Sequence, residues 1–319
     1  MDPTRQAVAF EASATGFLLI LALSFFAPNR AARSVFPTDS AMIALVPTAQ
    51  LSAQELVWKM VQNELKADAD DTTRWRFRKV DVKPSESETW DVVETKNGEV
   101  QRLIAIDGRP LTEAQREAEQ ARIRKFVDSS NEQAEKRKAS SSDFKKEQDL
   151  MEMLPNALLY QYAGKQDGLI RLTFKPNPHF HASTHEAEVF HHMTGELWIS
   201  ESSTRLAELR GQLASRVNFG YGLLGHLDKG GTFDAKQQDV GDGHWDSILL
   251  DTNLTGKALF FKTITVREKV IEFDYHRVSD DLTVQQAAEL LKRDSGQSAS
   301  TPSAARKTSS PFREERAGR

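Results

Sequence analysis

The pattern that most constrains this chain is a long series of short segments in which apolar and polar residues alternate. A period of two residues is typical of a half-buried β-strand, because successive side chains point to opposite faces. The segments lie at residues 75–82, 90–96, 99–106, 170–174, 217–223, 244–251, 258–266 and 271–275, and the short continuous apolar run 197–199 is predicted to be a further strand. Strand signals that do not alternate with helices predict the β-dominated α+β class, with a large curved antiparallel sheet, a half-barrel, and capping helices.

Turn residues divide this series. Asn97-Gly98 is a strong hairpin signal, since both residues accept positive φ, and Asn253 and Gly256 separate the strands predicted at 244–251 and 258–266. Several glycines fall between residues 220 and 243. Glycine inside a strand permits sharp coiling or close backbone approach, so these strands are expected to curl.

Three helical segments accompany the strands. Ser52 and Glu55 have the spacing of a capping box, and an apolar stripe follows them up to Leu65. A second capping signal at Thr112 opens a charged helical insertion over 112–154, expected to break near residues 140–142 and to form an arm outside the sheet. A last helix is predicted from Thr283 to Lys292.

The two ends of the chain differ from its middle. Residues 16–26 form an apolar run of signal-peptide length, too short to span a bilayer comfortably, so 1–49 is predicted to be an export segment. Residues 294–319 are rich in Ser, Ala and Pro and are predicted to be a disordered tail. The sheet domain is then 50–293, in a periplasmic or secreted protein without a stable transmembrane segment in its mature form.

Composition narrows the possible functions. There is no cysteine, which excludes disulfides, thiolate metal sites and cysteine nucleophiles. Charged residues make up 28% of the chain, yet the net charge is only -4. A near balance of this kind argues against a nucleic-acid partner, which needs a clustered basic surface.

No motif identifies a catalytic site, and no cofactor is expected. Five histidines lie between residues 179 and 192, which leaves a metal-dependent hydrolase open as an alternative, but their spacing matches no metal motif. Asp242, His244 and Asp246 alternate and could share one strand face. That row is interpreted as the solvent face of a strand whose other face carries Trp245, and no catalytic or metal-ligating residue is assigned.

Aromatic residues on the predicted strands are the candidate binding groups. A wide open sheet must cover its concave face with helices or with a ligand. The residues expected to line that face and to bind an apolar or amphiphilic ligand are Trp75, Phe77, Trp198, Phe219, Tyr221 and Trp245. An ordinary apolar core remains the alternative for each of them.

The order of these parts resembles a known family. An apolar leader, a capped amphipathic helix, a long antiparallel series, and Gly195-Glu-Leu-Trp-Ile199 followed by Arg205-Leu206 resemble the outer-membrane lipoprotein-sorting family, the LolA-like half-barrel. The resemblance covers about residues 50–280 and is closest to uncharacterised secreted bacterial proteins. It implies a periplasmic carrier of a lipid-like ligand or a lipoprotein acyl chain. A structural envelope protein that docks a protein partner through residues 113–149 is a further alternative.

Overall fold

The computed structural model describes residues 51–222, 224–258 and 262–294. The predicted export segment and the tail beyond residue 294 lie outside the described residues. Within them the chain forms thirteen strands in one antiparallel sheet, so the predicted β-dominated class is confirmed. The strands are β1 Trp75–Val82, β2 Ser87–Thr95, β3 Gly98–Ile106, β4 Arg109–Pro110, β5 Leu158–Gln166, β6 Leu169–Pro176, β7 Met193–Ser200, β8 Leu206–Leu213, β9 Val217–Phe219, β10 Gly225–Leu227, β11 Thr232–Gly241, β12 His244–Ala258 and β13 Lys262–Arg277.

The sheet is open, with β4 at one end and β5 at the other. Its order is β4-β3-β2-β1-β13-β12-β11-β8-β7-β6-β5, and the short β10 pairs with both β9 and β12. Strands β1 to β4 form a first hairpin group, and β13 joins this group to the rest of the sheet. The hairpin predicted at Asn97-Gly98 is confirmed, because β2 and β3 pair up to Thr95 and Gly98, and Gly98 has a φ of 108°.

Helix α1, Ala53–Asp70, begins at the predicted capping box, in which the Ser52 hydroxyl and the Glu55 carboxylate accept each other's backbone N–H groups. Its N-terminal half packs on the concave face. Ala53, Leu56, Val57, Met60 and Val61 join Leu172, Leu197, Leu209, Phe233 and Leu254 of the sheet in the main apolar core. Burial of this face stabilises the helix more than its intrinsic propensity does.

Two helices follow the first hairpin group, α2 at Glu113–Asp128 and α3 at Ser130–Ala157. The break predicted near residues 140–142 is wrong: α3 runs through those serines, and the helices divide at Ser129, whose side chain caps α3 at Glu132. Glu119 accepts the Leu103 N–H at 2.8 Å, and Arg122 donates to the Gln101 carbonyl at 2.6 Å. Helix α2 thus satisfies backbone groups on the part of the β3 edge that β4 does not pair.

Helix α3 reaches from one end of the sheet to the other. Lys136 donates to the Glu99 carbonyl on β3, and the helix ends directly before β5. Its 28 residues span about 42 Å at the usual rise per residue. Because Leu150, Met151 and Leu154 enter the main core, α3 crosses the concave side and is not the detached arm that its composition predicts.

Helix α4, Val284–Asp294, covers the opposite, convex face of β2 and β3, where Val284, Ala287 and Leu291 pack on Val93 and Val100. It begins where the sequence predicts, with the Gln286 N–H bound to the Thr283 hydroxyl. No helix of the described residues is long and apolar enough to cross a membrane.

Two strand boundaries differ from prediction. The strand expected over 217–223 ends at Phe219, because Gly220–Gly222 form a turn of 3-10 helix in which Gly220 and Gly222 have positive φ. Strand β12 runs unbroken through Asn253 and Gly256. A Cβ at Gly256 would lie 2.1 Å from the His226 carbonyl oxygen, so this glycine allows β10 to approach, as expected of glycine inside a strand.

Candidate functional site: an acidic cluster beside an aromatic wall

The buried stripe of α1 changes character along its length. Leu56, Met60, Glu64 and Asp68 follow one another at intervals of four residues, which places them on one helix face. The first two are buried apolar residues of the core, while Glu64 is equally buried and Asp68 is partly buried. The C-terminal half of α1 therefore presents carboxyl groups where the N-terminal half presents methyl groups.

Glu64 joins α1 to the start of β8. One of its carboxylate oxygens accepts from Arg205 at 2.7 Å, and the other accepts the Leu206 N–H at 2.6 Å. The Arg205 side chain is 12% exposed and the Glu64 side chain 4%. Arg205-Leu206 is the pair that follows the Trp-Ile segment in the sequence, and its place in the fold is to anchor the helix that covers the concave face.

Helix α3 supplies a further carboxyl group from the opposite direction. Gln54 near the start of α1 donates to the Pro155 carbonyl near the end of α3, while Glu147 lies within electrostatic range of Asp68 near the end of α1. The two helices are thus antiparallel, with their apolar ends together and their acidic ends together. Glu147 is 4% exposed, and its Oε2 has no hydrogen-bond partner within the described part of the chain.

The sheet contributes three more carboxyl groups. Glu94 on β2 and Glu272 on β13 are buried, and both lie within electrostatic range of Asp246 on β12, which is also within range of Asp68. Carboxyl groups from α1, α3, β2, β12 and β13 are therefore linked pairwise by electrostatic interactions, with Asp246 and Asp68 as the central members. We call this set the acidic cluster: Asp68, Glu94, Glu147, Asp246 and Glu272.

Burial decides the protonation of the cluster. It raises the pKa of Asp68 to about 7, with repulsion from Glu64 adding to the effect. Burial also raises the pKa of Glu147 to about 9, with further contributions from Asp143 and Asp68. The pKa values of Glu94 and Glu272 are raised in the same way, first by burial and then by Asp246. At neutral pH much of the cluster is therefore uncharged.

One histidine lies at the border of the cluster. His244 Nδ1 is 2.7 Å from Asp71 and its Nε2 is 3.4 Å from Asp246. Burial lowers the pKa of His244, but the hydrogen bonds to Asp246 and Asp71 outweigh this and raise it to about 9. Burial acts against ionisation of Asp71 as well, yet hydrogen bonds from His244 and Thr73 lower the pKa of Asp71 to about 2.

Aromatic rings lie next to these groups. Trp75 stacks on His244 with ring centroids 5.0 Å apart, and Phe77 stacks on Tyr275 at 4.9 Å. The Trp75 backbone N–H donates to Glu94 at 2.9 Å, which fixes the aromatic rings beside the acidic cluster. We call Trp75, Phe77 and Tyr275 the aromatic wall.

The six aromatic candidates do not share one face. Leu197 and Ile199 enter the concave core, so Trp198 between them points to the convex face, against the prediction. There it lies between the guanidinium groups of Arg171 and Arg210, 5.6 and 5.9 Å from its ring. A continuous Leu-Trp-Ile run carries no alternation, so the sequence does not determine which residue points inward.

The remaining candidates also separate. Phe219 is 5% exposed and belongs to the main core under α1, apart from the aromatic wall. Trp245 is half-buried and alternates with His244 and Asp246, which contact each other. The Tyr221 side chain is not among those that the structure describes, so that call stays a prediction. Of the five candidates whose side chains are described, the structure brings together only Trp75 and Phe77.

The histidines at 179–192 do not converge. His181 Nδ1 lies 3.1 Å from the carbonyl oxygen of His179, and His192 lies 2.7 Å from the Ser215 hydroxyl. His185 occupies the N-cap position of a short 3-10 helix, Glu186–His192, and His191 lies in the last turn of that helix. No group of three or more potential metal ligands occurs in the described ranges.

Sequence reasoning missed most of the site. The interpretation of Asp242, His244 and Asp246 as a solvent face is wrong for two of the three: the His244 and Asp246 side chains are 18% and 15% exposed, whereas Asp242 is 72% exposed in the hairpin turn. The signal that could have found the site is the continuation of the Leu56–Met60 stripe into Glu64 and Asp68. A carboxylate on a buried helical stripe marks a place where the interior becomes polar.

Comparison with models of protein families, with curated proteins and with solved structures finds no match to this chain. The site must therefore be interpreted from its own chemistry.

Proposed function

We propose that this chain is a binding or carrier protein for an amphiphilic ligand held on the concave side of the sheet. The apolar part of the ligand lies against the aromatic wall, and a basic group lies among the carboxyl groups of the acidic cluster. The observation that carries the proposal is a set of five carboxyl groups linked by electrostatic interactions, from Glu94 and Glu272 beside the wall, through Asp246 and Asp68, to Glu147, which is buried with its Oε2 unpartnered. The carrier resemblance and an exported, periplasmic or secreted address belong to the same proposal.

Stability alone gives no reason for such a cluster. Burying a polar group without a hydrogen bond costs free energy, and burying several carboxyl groups together raises their pKa values at the expense of the folded state. Strongly shifted pKa values of this kind occur most often at functional sites. An apolar replacement at Glu147 would fill the same space at lower cost, so the carboxyl groups are best explained by a ligand that pairs with them.

The ligand chemistry follows from the groups present. A protonated amine can pair with carboxylates and also interact with an aromatic face, and such a contact is worth about 2 kcal/mol when it is desolvated. An anionic head group would gain no ion pair from these carboxyl groups, and their repulsion of it would grow as they ionise at higher pH. Within the aromatic wall Trp75 and Phe77 are buried and Tyr275 is partly exposed, so an alkyl chain would lie against Tyr275. Burial of that chain contributes about 0.8 kcal/mol for each methylene. A primary alkylamine is the simplest molecule that meets both conditions.

Three ligands with the same alkyl chain test the proposal: dodecylamine, dodecanol and laurate, titrated calorimetrically into the full chain below their micelle concentrations. Dodecylamine is expected to bind with a defined stoichiometry and roughly tenfold or more tightly than either of the others, because only it can pair with the cluster. Tryptophan emission should change with the same affinity, since Trp75 lies in the aromatic wall.

Substitutions test whether dodecylamine binds at the acidic cluster. Glu147→Gln should weaken dodecylamine about tenfold and leave dodecanol unchanged, whereas Glu152→Gln, an exposed position on the same helix, should change neither. Equal affinity for all three ligands would exclude a role for the carboxyl groups and leave a general apolar carrier. Absence of binding by all three would overturn the carrier function and favour the structural alternative.

Proton release gives a second test. Because the pKa of Asp68 is about 7 and that of Glu147 about 9, a cation that binds between them at pH 7 must displace protons from the carboxyl groups. Dodecylamine affinity should therefore rise from pH 6 to pH 9. Calorimetry in two buffers with different ionisation enthalpies measures the protons released, and a value of zero would place the amine elsewhere.

A further inference from the structure

A pocket lies on the convex face, away from the acidic cluster. It has a volume of about 500 Å³ and is lined by Arg216, Asn218, Gly222, Gly225, His226, Asp228 and Lys257. In the sheet register His226 on β10 lies directly opposite Asn218 on β9 and Lys257 on β12. Because paired residues point to the same face, these three side chains converge on the pocket.

The opposite faces of these strands are part of the protein core. Val217, Leu227 and Ala258 are buried in the main apolar cluster. Alternation therefore fixes Asn218, His226 and Lys257 on the outside, and a shift of register by one residue would bury charged groups in the core. The arrangement of the pocket is thus held by the packing beneath it.

The charges of this pocket are not balanced as they are elsewhere on the convex face. There, Arg210 lies 2.6 Å from Glu196, and Lys269 lies 3.3 Å from Asp251. In the described part of the chain neither the Arg216 side chain nor the Lys257 side chain has an ion pair or hydrogen bond. The one carboxylate of the pocket, Asp228, accepts from the Thr255 hydroxyl at 2.9 Å and lies 3.4 Å from His226.

We infer that this pocket binds a phosphate-bearing ligand. Arg216 offers a planar fork of donors that matches an oxyanion, Lys257 a mobile point charge, and Asn218 an amide donor. The volume exceeds that of the anion itself and lies in the range of small-molecule sites, so the phosphate belongs to a larger molecule. That molecule is either a free phosphate ester or a phospholipid head group, and both present the same chemistry to the pocket.

Glycerol phosphate and inorganic phosphate, titrated into the full chain and followed by phosphorus NMR, test the inference. Saturable binding of glycerol phosphate is expected, tighter than that of inorganic phosphate and weakened by added salt. Arg216→Gln and Lys257→Gln should each lower the affinity about tenfold. Both side chains are exposed, so these variants should keep the melting temperature of the parent.

Lys269→Gln is the matched control, because it removes the same charge from the same face at a position already paired with Asp251. An equal loss of affinity in this variant would mean general attraction by charge and would overturn the site.

Co-flotation with phosphatidylcholine vesicles that contain phosphatidic acid distinguishes a phospholipid head group from a free phosphate ester. Flotation that depends on Arg216 and Lys257 assigns a lipid head group, and glycerol phosphate binding without flotation assigns a free ester. Absence of both overturns the inference.

Discussion

Replacement of Arg205 by methionine is expected to lower the free energy of unfolding by about 3–5 kcal/mol, the usual cost when one partner of a buried ion pair is removed. Glu64 would then remain buried with only the Leu206 N–H as a donor. Since Glu64 joins α1 to β8, the loss should also loosen the helix that covers the concave face. Chemical denaturation followed by circular dichroism measures the change.

Two further variants separate the effect of the buried charge from the effect of arginine packing. Arg210→Met removes an arginine whose side chain is 45% exposed and should change stability by less than about 1 kcal/mol. In the double variant Glu64→Gln/Arg205→Met, the amide oxygen can still accept the Leu206 N–H but no buried charge is left. This double variant should recover at least half of the lost stability, and a double variant as unstable as Arg205→Met would show that packing of the arginine, not its charge, holds α1 in place.

Local signals in the sequence predict the elements of this fold well. The capping boxes at Ser52 and Thr112 predict helix starts because the hydroxyl and its partner satisfy amides within a few residues, independent of the rest of the protein. The hairpin at Asn97-Gly98 is local in the same sense. The large antiparallel sheet follows from the sum of many such strand and turn signals.

Tertiary relations are harder to predict, because they depend on which face of each element is buried. Trp198 lies in a continuous apolar run, so its face is determined only by the packing of Leu197 and Ile199 under α1. Strand β12 passes through Gly256 because β10 lies against it, a contact that no local pattern reveals. The break of the helical insertion at Ser129 likewise follows from the docking of α2 on the edge of β3.

The candidate site was hidden for a related reason. Glu94, Glu147 and Glu272 are far apart in the sequence, and each is by itself an ordinary charged residue of a strand or helix. Glu94 and Glu272 come within electrostatic range of Asp246 only because β13 returns beside β1, and Glu147 comes within range of Asp68 only because α3 crosses the concave side. The part that sequence reasoning reached is the pair Trp75 and Phe77, whose alternation in β1 is a local pattern.

The acidic cluster should make the protein more stable in mild acid than in base. In the folded state the pKa is about 7 for Asp68, about 9 for Glu147 and about 9 for His244, each above the ordinary value. Between the ordinary and the raised pKa, the folded protein binds more protons than the unfolded chain, so stability falls as pH rises. Glu147 acts in this direction from pH 5 to pH 9, Asp68 only up to about pH 7, and His244 only above about pH 6.5.

The size of the effect follows from the shifts. One pKa unit corresponds to about 1.4 kcal/mol, so the three groups together are expected to change the free energy of unfolding by several kcal/mol. For a domain of this size, the melting temperature should be roughly 10 °C lower at pH 9 than at pH 5. Asp71 acts only at lower pH: its pKa is depressed to about 2, so its contribution is lost as pH falls below about 4.

The Glu147→Gln variant tests whether the fall of stability with pH comes from the acidic cluster. A neutral amide has no proton to lose, so this variant should melt higher than the parent at pH 9, equal it near pH 5, and show a flatter profile between them. Glu152→Gln on the exposed side of the same helix should keep the parental profile. A variant that gains stability while it loses dodecylamine binding is the expected signature of a group kept for its ligand and not for the fold. If the parent is as stable at pH 9 as at pH 5, or if both variants have the same profile, Glu147 does not hold its proton in the folded state, and the binding proposal loses its electrostatic basis.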